Sequence, residues 1–111
     1  MKTWQIVFTE RAERDLREIF EYIAFSLLEP EIGRKQTKRL IDGIEKLNQM
    51  PERHHVYDKE PWNSRGLRVL PIDNYSVFYL PVENKNTVAI VRIMYSGRNI
   101  DEQLKQSNID Q

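Results

Sequence analysis

The sequence contains no cysteine, only four glycines and only two histidines in 111 residues. Without cysteine there is no disulfide framework, no zinc–thiolate site and no thiol nucleophile. The two histidines, His54 and His55, are adjacent and have no third soft ligand, so neither a metal nor a cofactor is expected. No apolar run approaches the roughly 20 residues of a membrane span. No positively charged start leads into an apolar stretch, so a cytoplasmic protein with no membrane partner is expected. Net charge is missing too, because 17 basic residues cancel 17 acidic ones. A chain that grips nucleic acid through its phosphates ordinarily carries a basic excess. Here the bias is local: residues 51–100 hold seven Lys/Arg against five Asp/Glu, and ordinary surface charge explains that as well.

The length suits one domain, expected over residues 1–106, with 107–111 as a frayed tail. Trp4 to Phe8 is an apolar run too short for a helix and reads as a strand. Thr9 is the expected N-cap of a helix whose apolar residues recur at Leu16, Ile19, Phe20, Ile23, Ala24 and Leu27. Glu10 with Arg14 and Glu13 with Arg17 stand four apart with the acid first, as on a solvated face. Pro30 suits the first position of a second helix. Leu40, Ile41, Ile44 and Leu47 carry its apolar stripe to Met50-Pro51. Two long helices with so short a link must lie antiparallel.

Residues 52–65 are polar and read as irregular. His54 and His55 fall here, either as plain exposed residues or as proton carriers near neutrality. Three strands follow: Leu67 to Ile72, Tyr75 to Val82 and Thr87 to Tyr95. The tight turn Asp73-Asn74 joins the first two, and the last is the most apolar. Spacing of this kind predicts an antiparallel meander. The expected fold is α+β: an N-terminal strand, then an antiparallel helical hairpin packed on one face of a four-stranded antiparallel sheet. Its core should include Phe8, Leu16, Ile19, Phe20, Ile23, Leu40, Ile44, Leu47, Val77, Ile90, Val91 and Ile93. Arg92 alternates with Val88, Ile90 and Met94, and a charge there is costly unless it is paired or near solvent. Either it forms a salt bridge to a neighbouring element, or it lines a functional face with Arg68 and Arg98.

Several pieces, in order, resemble one family. They are Phe8-Thr9-Glu10-Arg11-Ala12 with Asp15-Leu16, Tyr22-Ile23, Leu47 with Met50-Pro51, Gly66-Leu67-Arg68, Asn74-Tyr75, Phe78-Tyr79, Arg92-Ile93 and Gly97-Arg98. Together, over about residues 4–104, they are similar to the RelE/ParE superfamily of bacterial type II toxins. The resemblance implies a growth-arresting toxin neutralised by a cognate antitoxin, with operator DNA reached only through that antitoxin. It implies two activities on one fold, and the fold alone does not choose between them. RelE-like members cut mRNA in the ribosome, whereas ParE-like members poison DNA gyrase.

RelE-like cleavage needs a cation at the developing phosphate charge and a group that moves protons. The family nucleases carry an arginine after the tyrosine matching Tyr75, where this chain has Ser76. They carry another at the final turn, which Arg98 matches, and often a C-terminal aromatic, where this chain has Leu104. A ribonuclease would therefore rely on Arg68 and Arg98, with His54, His55 or Tyr95 moving protons. The resemblance favours ParE-like inhibition of gyrase. The alternatives are a ribosome-dependent ribonuclease and a non-toxic antitoxin-binding module. In every case Arg68, Arg92 and Arg98 are the expected binding residues for antitoxin or target.

Overall fold

The structure is a computed structural model that describes residues 3–97 and 99–105. Arg98 and the tail 107–111 lie outside the described residues. A short strand, β1 (Gln5–Phe8), leads into helix α1 (Glu10–Glu21). The Thr9 hydroxyl caps α1 by accepting from the Ala12 amide at 3.1 Å, which satisfies one of the donors a helix start leaves open. The end of α1 widens into a π turn over Tyr22–Ser26, where the Leu27 amide donates to the Tyr22 carbonyl at 3.0 Å. Leu28 then takes a left-handed conformation with φ 57°, and the chain reverses into helix α2 (Pro30–Glu45). Gly33 lets the two helices approach closely: a Cβ there would stand 3.3 Å from the Phe20 ring and 3.4 Å from the Ala24 backbone nitrogen.

Residues 52–65, expected to be irregular, hold a 3-10 turn from Pro51–Arg53 and a short helix, α3 (Trp62–Arg65). Strands β2 (Arg68–Ile72), β3 (Tyr75–Val82) and β4 (Thr87–Tyr95) form the expected meander, and α4 (Ile100–Lys105) follows. The turn between β2 and β3 is tied to α2 by Asp73. Its carboxylate accepts from Arg39 Nε at 2.8 Å and from Gln36 Nε2 at 3.0 Å. The Arg39 guanidinium, followed by Gln36, holds the Asp73 pKa down to about 2.

The sheet order is β1-β4-β3-β2, and one expectation needs correction. β1 pairs parallel to β4, from Gln5↔Thr87 to Phe8↔Ile90, so the sheet is mixed rather than wholly antiparallel. The reason is a parity of reversals. α1 continues along β4 in the sense of β1, meeting Ile90 through Thr9 and Ile93 through Asp15. The chain then reverses from α1 to α2, from α2 to β2, from β2 to β3 and from β3 to β4. Four reversals restore the original direction.

The helical hairpin covers one face. Ala12, Leu40, Ile44 and Leu47 pack there against Val77, Tyr79, Val88, Ile90 and Ile93. Phe8, Leu16 and Ile19 are only partly buried against that core. The opposite face is also covered: Trp62 of α3 and Leu104 of α4 close a second core with Leu67, Val69, Phe78, Val91 and Met94. Val91, expected beside Ile90, belongs to this second core. Among the described residues no helix is long and apolar enough to cross a membrane.

Candidate functional site: the open edge of strand β4

β1 is four residues long and β4 is nine, so β1 covers only half of the β4 edge. Where β1 stops, β4 is irregular. Tyr79 pairs with Ile90 and Phe78 with Arg92, so Val91 is the extra residue of a bulge. The carbonyls at the bulge are met by Thr9: its amide donates to Ile90 O at 3.1 Å, and its hydroxyl stands 2.9 Å from Ile90 O and 3.2 Å from Val91 O. Nearly two turns further along α1, Asp15 reaches the same edge. Its Oδ2 accepts from Arg92 Nε at 2.7 Å and from the Ile93 amide at 3.0 Å, while Oδ1 accepts from Arg92 Nη2 at 3.2 Å. Asp15 and Arg92 are 5% and 3% exposed. Arg92 also donates to the Gln103 carbonyl of α4 at 3.3 Å.

Beyond Asp15 the edge opens onto a groove of about 640 Å³ between α1, the π turn and the end of β4. Ile19, Tyr22, Ile23, Leu27 and Ile32 form its helical wall, and Tyr75, Ile93 and Tyr95 its sheet wall. The Ser96 amide donates to the Asn74 carbonyl, which sets the hydrogen-bonding parity between β3 and β4. By that alternation Ile93 and Tyr95 turn their backbone groups away from β3, toward the groove. Tyr22, Leu27 and Ile32 are 58%, 51% and 53% exposed, so the groove continues into an apolar surface at the hairpin tip. That surface includes Phe25 and Leu28, at 66% and 78%.

The arginines expected to share one face reach in opposite directions. Arg92 extends past β4 to Asp15. Arg68 extends past β2, where its Nη1 donates to the carbonyls of Glu52 at 2.9 Å and His54 at 2.6 Å. It pins the loop that crosses the start of β2. The same loop is held by the Tyr79 hydroxyl, which donates to the Pro51 carbonyl at 2.6 Å, and by a bridge between Val56 and Arg68. Burial pushes the Tyr79 pKa up to about 12. The His54 ring stands edge-on to Tyr79 at 6.4 Å. Burial lowers its pKa, and the nearby Arg53, His55 and Arg68 push the same way. His55 is exposed and contributes its carbonyl to the Val69 amide.

Tyr95 is 51% exposed and meets Tyr75 edge-on at 6.0 Å. Arg68 is registered with Tyr79, and Tyr95 with Tyr75. Those positions lie four residues apart along β3, about 13 Å at the rise of a strand. Arg68 and His54 are therefore not brought together with Tyr95. Ser76, at the place of the nuclease arginine, is buried with its hydroxyl 2.9 Å from that of Ser96.

Asp15 is the residue that sequence reasoning passed over as a site. A signal was present: it stands three after Ala12 and four before Ile19, on the buried stripe of α1 rather than on its charged face.

A sequence model of the ParE toxin of the type II toxin–antitoxin system parDE matches residues 6–100. No curated protein matches the chain in sequence. Among solved structures, the chromosomal ParDE toxin–antitoxin system from P. aeruginosa aligns at TM-score 0.69 and 22% identity, covering 86% of this chain and 98% of that one. A mutant of the E. coli toxin RelE in the free state aligns at TM-score 0.64 and 12% identity, over 95% and 94% of the two chains. The RelBE2 toxin–antitoxin complex from Mycobacterium tuberculosis aligns at TM-score 0.58 and 20% identity, over 84% and 98%. At these identities the likeness to the solved structures is one of fold.

Proposed function

The chain belongs to the ParE toxin family of type II toxin–antitoxin systems, and from that premise we propose that it arrests growth by acting on DNA gyrase and is neutralised by a cognate antitoxin. The observation that carries this reading is the engagement of Arg68. Transition-state stabilisation of a phosphoryl group needs a cation aimed at the developing charge. Arg68 instead aims its guanidinium at the carbonyls of Glu52 and His54. Arg92 is likewise turned to the Asp15 carboxylate. The groups that could move protons, His54 and Tyr95, sit at different ends of the sheet. An apolar groove with an open strand edge suits the binding of protein better than the binding of a phosphodiester.

Two measurements on induced cells test the proposal. Gyrase action produces DNA cleavage complexes and an SOS response without new mRNA 5′ ends. Abundant new 5′ ends that depend on translation would establish cleavage of mRNA and overturn the proposal.

A further inference from the structure

We propose that the outer edge of β1 joins a second copy of this chain, β1 against β1 about a two-fold axis at Val7, so that two four-stranded sheets become one. The inference goes beyond the gyrase reading and does not depend on it.

The two edges of the sheet are finished differently. The β2 edge is closed by the loop before it: the Val69 amide donates to the His55 carbonyl at 3.2 Å, and the Tyr57 amide to the Leu67 carbonyl at 2.7 Å. Further along β2, Pro71 has no amide to offer. Covering loops, prolines, charges and bulges all blunt an edge, because an unpaired row of amides and carbonyls is a template for another strand. β1 carries none of these devices. In a chain with 31% charged residues, Gln5-Ile6-Val7-Phe8 has neither a charge nor a proline to repel a partner. Its register with β4 is unbroken, and among the described residues no strand lies on its outer side.

The open stretch is bounded at both ends. The Gln5 and Thr9 amides donate to the carbonyls of Asn86 and Ile90. By that alternation Gln5 and Val7 turn their backbone groups to β4, and Ile6 and Phe8 turn theirs outward. At the previous outward position, the Trp4 amide is already taken by the Asn48 carbonyl at 2.7 Å. After Phe8 the chain enters α1 at Glu10. Two outward residues remain, placed symmetrically about Val7, which makes the edge its own complement. A two-fold axis at Val7 satisfies all four groups at once. Ile6 exchanges both its bonds with Phe8 of the second copy, and Phe8 exchanges both with the second copy's Ile6.

Side chains fit the same join. Ile6 and Phe8 pack toward the helical core, so Val7 lies on the far face of the sheet, where it is 42% exposed. The two Val7 side chains would meet across the axis with their Cβ atoms about 5 Å apart. On the helical side, the antiparallel sense brings the Trp4 end of each copy to the Phe8 end of the other. An open groove of about 520 Å³ begins there, lined by Phe8, Leu16, Phe20 and Ile41. Met50, two positions past Asn48, supplies exposed apolar surface at the Trp4 end.

The experiment uses the full chain, with mass followed by sedimentation across a concentration series and amide exchange measured at both ends of it. A monomer–dimer equilibrium is expected. Val7→Lys sets two like charges opposite each other and should weaken the dimer at least tenfold. Val7→Glu alone should do the same, and mixing the two variants should restore a dimer of one copy each. Ile6→Pro removes an outward amide without touching the ladder to β4 and should also weaken it. Leu28→Lys, at the hairpin tip, should leave dimerisation within twofold. Exchange at Ile6 and Phe8 should slow as the dimer forms. Circular dichroism confirms folding, and the Val7 variants carry the test if Ile6→Pro does not fold.

A monomeric mass throughout about 1–500 μM would overturn the inference. So would a dimer that survives Val7→Lys, or a Lys/Glu mixture that stays monomeric. Loss of the dimer in Leu28→Lys would assign the contact to the hairpin tip instead. Protection of Ile6 and Phe8 that appears only when antitoxin is bound to a monomer would give the edge to the antitoxin and overturn the inference too. Each of these results leaves the action on gyrase to its own measurements.

Discussion

Asp15 and Arg92, 77 positions apart in sequence, form a buried ion pair in which the same carboxylate oxygen also accepts the Ile93 amide. The pair finishes the β4 edge where β1 runs out, and it fixes the spacing between α1 and the sheet. Taking one partner away leaves the other charged in a dry place. Asp15→Ala or Arg92→Leu is expected to cost about 3–5 kcal/mol in urea unfolding. The double variant should cost clearly less than the two losses added, since no buried charge is then stranded. Strict additivity would show that the two residues act independently.

Arg68 is expected to behave as a structural pin. Its two charge-assisted bonds to loop carbonyls should be worth about 1.5–3 kcal/mol each before partial exposure is discounted. Arg68→Ala should therefore lower the melting temperature and open the 51–55 loop to proteolysis. Full stability combined with loss of toxicity would instead mark Arg68 as a functional cation.

His54 gives the fold an acid-side sensitivity. Burial holds its pKa below the ordinary histidine value, so the unfolded chain binds the proton first. Stability from this group is complete above the unfolded value of about 6.5 and is lost as pH falls through the lower folded pKa. His54→Phe keeps a ring against Tyr79 and removes the titration. Melts between pH 7.5 and 5.5 should show a smaller acid-side loss for the variant than for the parent. Parallel curves would rule the histidine out as the cause.

The second core makes Trp62 a stronger stability position than its place in a polar stretch suggests. Trp62 is 6% exposed and packs with Phe78 and Leu104. Trp62→Ala should cost about 3–5 kcal/mol. Phe20→Ala on the half-buried flank of the hairpin should cost less. The reverse order in paired urea titrations would contradict the two-faced packing.

Local pattern was enough for the two long helices and the strands, though not for α3 or the π turn. The α1 stripe from Leu16 to Ala24, the Thr9 cap, Pro30 at the start of α2 and the Asp73-Asn74 turn are all encoded in neighbouring residues, because a period and a cap are short-range physics. The same pattern, with the resemblance it carried, identified the superfamily and marked β4 as the most apolar strand. Partnership across the chain was a different matter. Periodicity says which face is buried but not by what, so Trp62 and Leu104 gave no sign that they close the far side of the sheet. The parallel pairing of β1 depends on counting four reversals, which exists only once the elements have directions. The bulge at Val91 broke the alternation that had placed Arg92 beside Ile90. That Arg92 turns to Asp15, that Arg68 turns to the 52–54 loop, and that β4 outruns β1 to leave an open edge were decided by tertiary structure. Each depends on where a side chain finds its opposite charge or its missing hydrogen bond, and those partners lie far away in sequence.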